Sequence, residues 1–342
     1  MSYQPNWTQG DGGRLSPGKH WVRDDDLLDI ARELNRRRNL GYVNSQSIDN
    51  QVAPGLLARL YTMQGLSAPP FDSLRKAAMD ILSMPAGLSG GVPASPAAVE
   101  WLWPDAGADY GKTIVASMPQ AGQVELLAKL NTPSGWTDPN LAGRYIRAVH
   151  VNELRWCMEK VCRGRWRLPV YSIAGIISVM PDSGWVGGIV ARNVYSEVRA
   201  MAHVTMCGDG EFGGLGQGLI NVNVLPSSLL HVTADQPCTI GVYQLLRHID
   251  FTGNPPSWRW YDPDGGLEWT SPGGLGGGDA AFLGQVTIPA NGLGTISTAA
   301  LTGALQNMVD GQESNFIFAR VDSSYAAAAF TAEAAVDFEL TS

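Results

Sequence analysis

Charge is what this 342-residue chain has least of. Only 16% of its residues are Asp, Glu, Lys or Arg, where an ordinary globular domain carries about 25%. Lysine is missing altogether from residues 201–342, which hold three arginines (Arg247, Arg259, Arg320) and fourteen acids, a balance of −11. Residues 1–200 hold 21 basic and 18 acidic side chains, a balance of +3. An acidic, lysine-free half repels phosphate, and affinity for nucleic acid needs clustered Lys or Arg, so nucleic acid is excluded as a partner. No apolar run is long enough to span a bilayer and no apolar leader opens the chain. The expectation is a soluble protein with neither membrane insertion nor an export address. A surface this poor in charge suits contact with copies of itself or with partner proteins.

Cysteine is scarce too. Cys157, Cys162, Cys207 and Cys238 have no CxxC spacing and no adjoining histidines, which argues against a zinc site. Cys157 and Cys162 lie five apart on a helical stretch and point from different faces. Cys207 and Cys238 fall in strand-like segments and are the candidate disulfide, with buried free thiols as the alternative. The five histidines (His20, His150, His203, His231, His248) are scattered, and neither GxSxG nor HExxH occurs. Serine hydrolase and metalloprotease readings lose their support.

Two nucleotide motifs fail on geometry. Gly208–Gly213 fits GxGxxG, but Gly214-Leu215-Gly216-Gln217-Gly218 follows and cannot open the helix that would receive a pyrophosphate. Gly107–Thr113 is one residue short of a P-loop, and loop length sets how the backbone amides encircle phosphate. Asp262 and Asp264 in a DPDGG turn suit a hard cation such as calcium, but the place of the bidentate Glu is taken by Gly273, so a plain turn fits better. The expectation is a chain without cofactor, metal or catalysis. A carboxylate pair for glycoside hydrolysis stays open, because its two members can come from anywhere in a sequence.

What the chain does have is turn residues and tryptophan: forty glycines, twenty-one prolines and eleven tryptophans. Residues 1–20 read as an extended arm, ordered only if a neighbour orders it. Residues 21–84 read as a helical docking region. Its first helix starts at Asp24, Asp25 and Asp26, carries Leu27, Ile30 and Leu34 on one face, and ends in Arg36, Arg37 and Arg38, with charges matched to the helix dipole. Shorter helices are expected at 56–63 and 72–82. Residues 85–144 form a linker and loop-rich segment. Residues 145–166 (YIRAVHVNELRWCMEKVCRGRW) carry a short amphipathic helix with Asn152, Glu153 and Glu159 outside its apolar stripe. Region 21–37 repeats its pattern, Leu27/Val151, Ile30/Leu154 and Leu34/Met158; a duplicated docking helix and two unrelated amphipathic helices both fit.

Residues 167–193 read as an apolar strand connector with two strands around Pro181-Asp182-Ser183-Gly184. From 194 to 342, strand-like segments such as LLHVTA, CTIGVYQLL, SWRWYD and NFIFARV alternate with glycine-rich turns. They predict an antiparallel β-sandwich of the jelly-roll kind, with one helix over Thr298–Val309. The fold class is therefore α+β and multidomain: a small helical N-terminal region, then a β-sandwich. Trp258, Trp260, Tyr261 and Trp269 cluster among polar turn residues. In a WxWY strand the two tryptophans share one face, which is either core or a platform for sugar rings.

The run Ile146-Arg147-Ala148-Val149-His150-Val151-Asn152-Glu153-Leu154-Arg155 resembles a helical element of phage tail and fibre proteins that precedes a presented C-terminal domain. Residues 194–340 resemble the disaggregatase-related (DNRLRE-type) β-sandwich domains of carbohydrate-binding and cell-surface proteins, through Val242–Leu246, Trp258-Arg259-Trp260 and Glu268–Gly274. The first resemblance implies a virion component of the tail, collar or fibre kind, often trimeric, assembled in the host cytoplasm. The second implies a binding or structural module without catalysis, turned toward host-surface polysaccharide. A carbohydrate-binding cell-surface protein and a polysaccharide-degrading tail spike are the alternatives. Arg147, Arg155, Arg163 and Arg165, just ahead of the acidic half, are the candidate assembly junction through complementary fields between copies.

Overall fold

The computed structural model describes residues 5–39, 144–180, 197–204, 222–249, 254–289, 292–310, 315–324 and 326–341, with isolated positions between 71 and 141 and between 182 and 192. The expected helix at 56–63, both nucleotide-like motifs and Cys207 lie outside these residues. The chain forms two compact units, one of residues 1–165 and 339–342, the other of residues 166–338.

The first unit is built on two helices, α1 (Asp24–Asn39) and α2 (Ala148–Lys160). Its described residues also include the short strands β1 (Leu88–Ser89), β2 (Val92–Pro93) and β3 (Val99–Leu102). The three aspartates start α1 as expected, and Asp26 accepts the Arg23 amide at 2.7 Å, satisfying an orphan donor of the first turn. Leu27, Ile30 and Leu34 of α1 and Val151, Leu154 and Met158 of α2 are all buried, so the positions that matched in sequence are both core faces. Beyond that stripe α2 departs from an amphipathic surface helix. Nine consecutive residues, His150 to Met158, are buried, and Asn152, Glu153 and Arg155 are among them.

Polar groups this deep stay only when paired, and each here holds a distant segment. The Asn152 amide both accepts from the Leu15 backbone N–H and donates to its carbonyl, each at 2.9 Å. Arg155 meets Asp26 at 2.7 Å and donates to the Gln9 carbonyl at 2.8 Å. Glu153 faces Arg75 at 3.5 Å. Glu159 takes the Trp7 indole N–H at 2.9 Å and the Arg14 guanidinium. Arg37, beyond reach of solvent, donates to the carbonyls of Met158 and Val161, closing the C-terminus of α2. The expectation of an arm waiting for a neighbour is thus corrected for residues 7–15. They lie on the chain's own helices, because α2 offers side-chain partners for the backbone groups that an extended segment leaves unpaired.

The second unit is an antiparallel sheet. Its strands are β4 (Arg163–Ile177), β5 (Gly184–Trp185), β6 (Ile189–Arg192), β7 (Glu197–Val204), β8 (Val222–Val224), β9 (Leu229–Ala234), β10 (Cys238–Leu245), β11 (Trp260–Asp262), β12 (Leu267–Glu268), β13 (Ala280–Ile288), β14 (Gly292–Ile296), β15 (Asn315–Arg320) and β16 (Ala328–Leu340). Neighbouring strands run in the order β13-β10-β15-β7-β4-β16-β9-β14, with β5, β6 and β8 attached beside that path, while β11 and β12 form a two-stranded sheet among the described residues. The two ends of the path meet through side chains. A Cβ on Gly294 of β14 would collide with Val286 of β13 and fall 2.9 Å from Ile288, so glycine is what permits this approach. The result is a nearly closed, barrel-like sheet.

Residues 167–193, expected to hold two strands around Pro181–Gly184, supply most of β4, which pairs with β5 beyond that turn and lies between β7 and β16 in the path, with β6 alongside β7. Helix α3 (Ala299–Val309) starts at Thr298, whose hydroxyl accepts the Leu301 amide at 3.1 Å. It buries Leu301, Leu305 and Met308, and Gln306 ties it to both ends of β8, accepting from Val224 N at 2.7 Å and donating to the Val222 carbonyl at 3.1 Å. Trp166 and Phe338 stack at 3.8 Å in the core.

Candidate functional site

The aromatic cluster lies on the loop between β10 and β13, fastened to the sheet by one residue after another. Trp269 is core: it packs with Ile176, Met201, Leu245, Ile249 and Ile317, and its indole N–H donates to the Ser257 carbonyl at 2.8 Å. Tyr261 lies tilted against it at 5.5 Å, and Tyr261 and Trp258 are half-buried on the same apolar cluster. The expected WxWY strand does not form. β11 begins only at Trp260, and its pairing with β12 shifts register between Trp260 and Asp262, so the alternation of faces fails. Trp258 and Tyr261 therefore share the core side, and Trp260 turns away from it. The four rings do not make one platform.

Three arginines sit on these rings, each held by an acid. Arg199 lies over Trp258 at 4.4 Å, paired with Glu197 at 2.9 Å. Arg247 lies over Tyr261 at 5.5 Å, paired with Asp279 at 3.2 Å. Arg259 lies over Trp260 at 4.7 Å, paired with Glu268 at 2.8 Å. An acid paired with a stacked guanidinium fixes its plane, which is why an arginine serves here where a lysine would not. Gly273 locks the loop. It has φ +84°, its amide donates to the Trp258 carbonyl at 2.6 Å, and its carbonyl accepts from Arg199 at 2.5 Å. A Cβ there would strike Arg199 and Trp258. Asp279, with no solvent access, takes Thr270 Oγ1 at 2.8 Å and the Ser271 amide at 3.1 Å. Burial works to raise its carboxyl, and the bonds from Thr270, Ser271 and Arg247 hold it below the usual carboxylate range.

The outer side of this cap is Trp260 and its neighbours. The indole N–H donates to Asp182 Oδ1 at 3.1 Å. Arg259 and Glu268 beside it are 53% and 50% exposed, enough to meet a ligand. Asp262 and Asp264 close turns: Asp262 accepts the Gly265 amide at 2.8 Å, and Asp264 accepts the Asn254 amide at 2.8 Å and its side-chain N–H at 2.5 Å. Among the described residues no three His, Cys, Asp or Glu side chains gather where a metal ion would sit.

The candidate junction residues scatter. Arg155 has no solvent access and is committed to Asp26, so it cannot reach another copy of the chain. Arg147 is exposed and paired with Asp138, and Arg163 is exposed and 3.4 Å from Glu339; Arg165 is half-buried on β4. Cys238 is a buried free thiol, as are Cys157 and Cys162, and burial pushes all three thiols upward. A thiol so raised is no nucleophile at neutral pH. The arginine–aromatic pairs went unread in the sequence because Arg199 lies far from Trp258 along the chain. The one local signal was Arg259 between two tryptophans.

No protein-family model matches the chain, and no curated protein matches it in sequence.

Proposed function

We propose that the chain is a non-enzymatic structural protein of a bacteriophage virion, of the tail, collar or fibre kind. The helical unit attaches to the particle, in homo-oligomeric, trimeric form beside other virion proteins, and the β unit is presented outward to bind host-surface glycan. We read that β unit as a sandwich of the jelly-roll kind whose end strands come together. The attaching role is supported by the phage-type element at Ile146–Arg155 and by Trp21 and Tyr145, 83% and 92% exposed on the helical unit, which offer aromatic surface to a partner.

The observation that carries glycan recognition is the setting of Trp260. Its indole is held by Asp182 and stacked under Arg259, with Glu268 alongside. A ring beside an exposed donor and an exposed acceptor suits a pyranose with vicinal hydroxyls. Asp182, Asp262, Glu268, Glu197 and Asp279 outnumber the three arginines here, so an uncharged sugar is favoured over an acidic one.

The test is a glycan array probed with the full chain and with Trp260→Ala. Saturable binding to neutral host polysaccharide, lost in the variant while its melting temperature is kept, is the expected result. No glycan binding in either chain would overturn the recognition role. Immunoelectron microscopy of purified particles tests the other half: absence of the chain from virions would favour a carbohydrate-binding protein of a cell surface using the same face.

A further inference from the structure

We propose that His150 is an acid-sensitive latch that holds Asp138 against the N-terminus of α2. The ring is fully buried, and its two nitrogens have different, fixed tasks. Nδ1 lies 3.1 Å from the backbone N–H of Arg147, the residue that caps α2. An N–H can donate only to a lone pair, so Nδ1 is unprotonated and the ring carries its single hydrogen on Nε2. Nε2 faces Asp138 Oδ2 at 3.2 Å. The neutral ring thus does two things at once: it satisfies an orphan amide of the helix N-terminus, and it donates to the carboxylate.

Asp138 is the other half of the latch. It sits at φ +49°, a backbone conformation non-glycine residues seldom adopt, and four side chains converge on it. Arg144 reaches Oδ1 at 2.7 Å, Arg147 and His150 reach Oδ2, and Arg75 donates to its backbone carbonyl at 2.9 Å. Among the described residues, the charged groups facing the ring are these same ones. Arg147 Nη2 is 3.5 Å from Nε2, and Arg75 lies over Phe71, whose ring is 6.1 Å from the imidazole, while also meeting Glu153.

A second proton has only one place to go. On Nδ1 it would point at the Arg147 N–H, turning an accepted bond into two opposed donors, so the ring must rotate or the helix cap must open. Attraction to Asp138 works the other way, but that carboxylate is already shared with Arg144 and Arg147. Burial, with the charges of Arg75 and Arg147, holds the His150 ring below its ordinary range despite the Asp138 bond. The folded state therefore favours the neutral ring. Its contribution is complete above the unfolded value of 6.5 and is lost as pH falls below it. The Asp138 carboxyl is itself held low, as bonds from His150 and Arg147 and the nearby charges outweigh its burial, so it stays ionised throughout that window.

Hydrogen exchange on the full chain tests the latch, with rates corrected for intrinsic pH dependence. Between about pH 7.5 and about pH 5, protection of the Arg147 amide is expected to fall by roughly tenfold or more in the native sequence. In His150→Asn the fall is expected to be less than about twofold, because an amide oxygen takes the place of Nδ1 and accepts the same N–H without titrating. Unchanged protection in the native sequence, or an equal loss in both chains, would overturn the proposal. Should the variant not fold, nitrogen NMR of the native ring decides: a neutral form protonated on Nε2 is required, and an Nδ1-protonated neutral form sinks the latch.

Discussion

Arg155 and Asp26 meet at 2.7 Å, and solvent reaches neither side chain. One comes from the helix that begins the described core and the other from a helix 129 residues later. The same guanidinium donates to the Gln9 carbonyl and lies 5.0 Å over the Trp7 ring, so it also fastens the N-terminal arm. Burial pulls the Arg155 guanidinium below its ordinary range, and Asp26 opposes that pull.

Breaking this pair from one side leaves an uncompensated charge in the interior. Arg155→Met is expected to destabilise the helical unit by about 3–5 kcal/mol. The double change Arg155→Met with Asp26→Leu should cost clearly less than the two singles together. Urea unfolding of the four chains in a double-mutant cycle reads this directly, and strict additivity would show the pair to be uncoupled.

Asn152 serves a backbone, not a side chain. Asn152→Ala strands the N–H and carbonyl of Leu15 together, at a cost of about 2 kcal/mol. The larger effect is local: the arm should detach. Trypsin cleavage after Arg14 and Lys19 is expected to accelerate in the variant before any global unfolding.

Two glycines should respond with opposite sign. Gly294→Ala pushes a methyl into Val286 at the approach of β13 and β14 and is expected to cost about 1–3 kcal/mol. Gly303 is exposed inside α3 with nothing within 4 Å of a Cβ, and Gly303→Ala is expected to gain about 0.5–1 kcal/mol through helix propensity. Thermal melts of the two variants compare the shifts.

The buried thiols are expected to resist modification. In a Cys207→Ser chain, Cys157, Cys162 and Cys238 should stay unlabelled by a neutral-pH thiol reagent until denaturant is added. All three are buried and raised, and only the thiolate reacts. Fast labelling under native conditions would mean that these sites open.

Local signals were legible wherever a residue's job is done by its neighbours in sequence. The aspartates that start α1, the Thr298 cap of α3 and the turn at Asp262 each rest on contacts within a few residues. The polar face of α2 was misread for the opposite reason. Asn152, Glu153 and Arg155 have the composition of a solvated surface, and they are buried because partners 78 to 137 residues away come to meet them. The WxWY stretch was misread because a strand of three residues with a shifted register cannot keep the period of two that the pattern assumed.

The sequence by itself determined the β-rich character of the second unit, the starts of α1 and α3 and the poverty in cations, since periodicity, capping and composition are local or additive. Tertiary structure alone decided which charges are buried, that residues 167–193 lie in the middle of the sheet, and that the few arginines near the tryptophans stack on them. Each of these depends on which distant segment arrives as a partner. Burial of an ion, pairing of a strand and cation–π contact are all energies between surfaces, and one strand of sequence carries only one of the two.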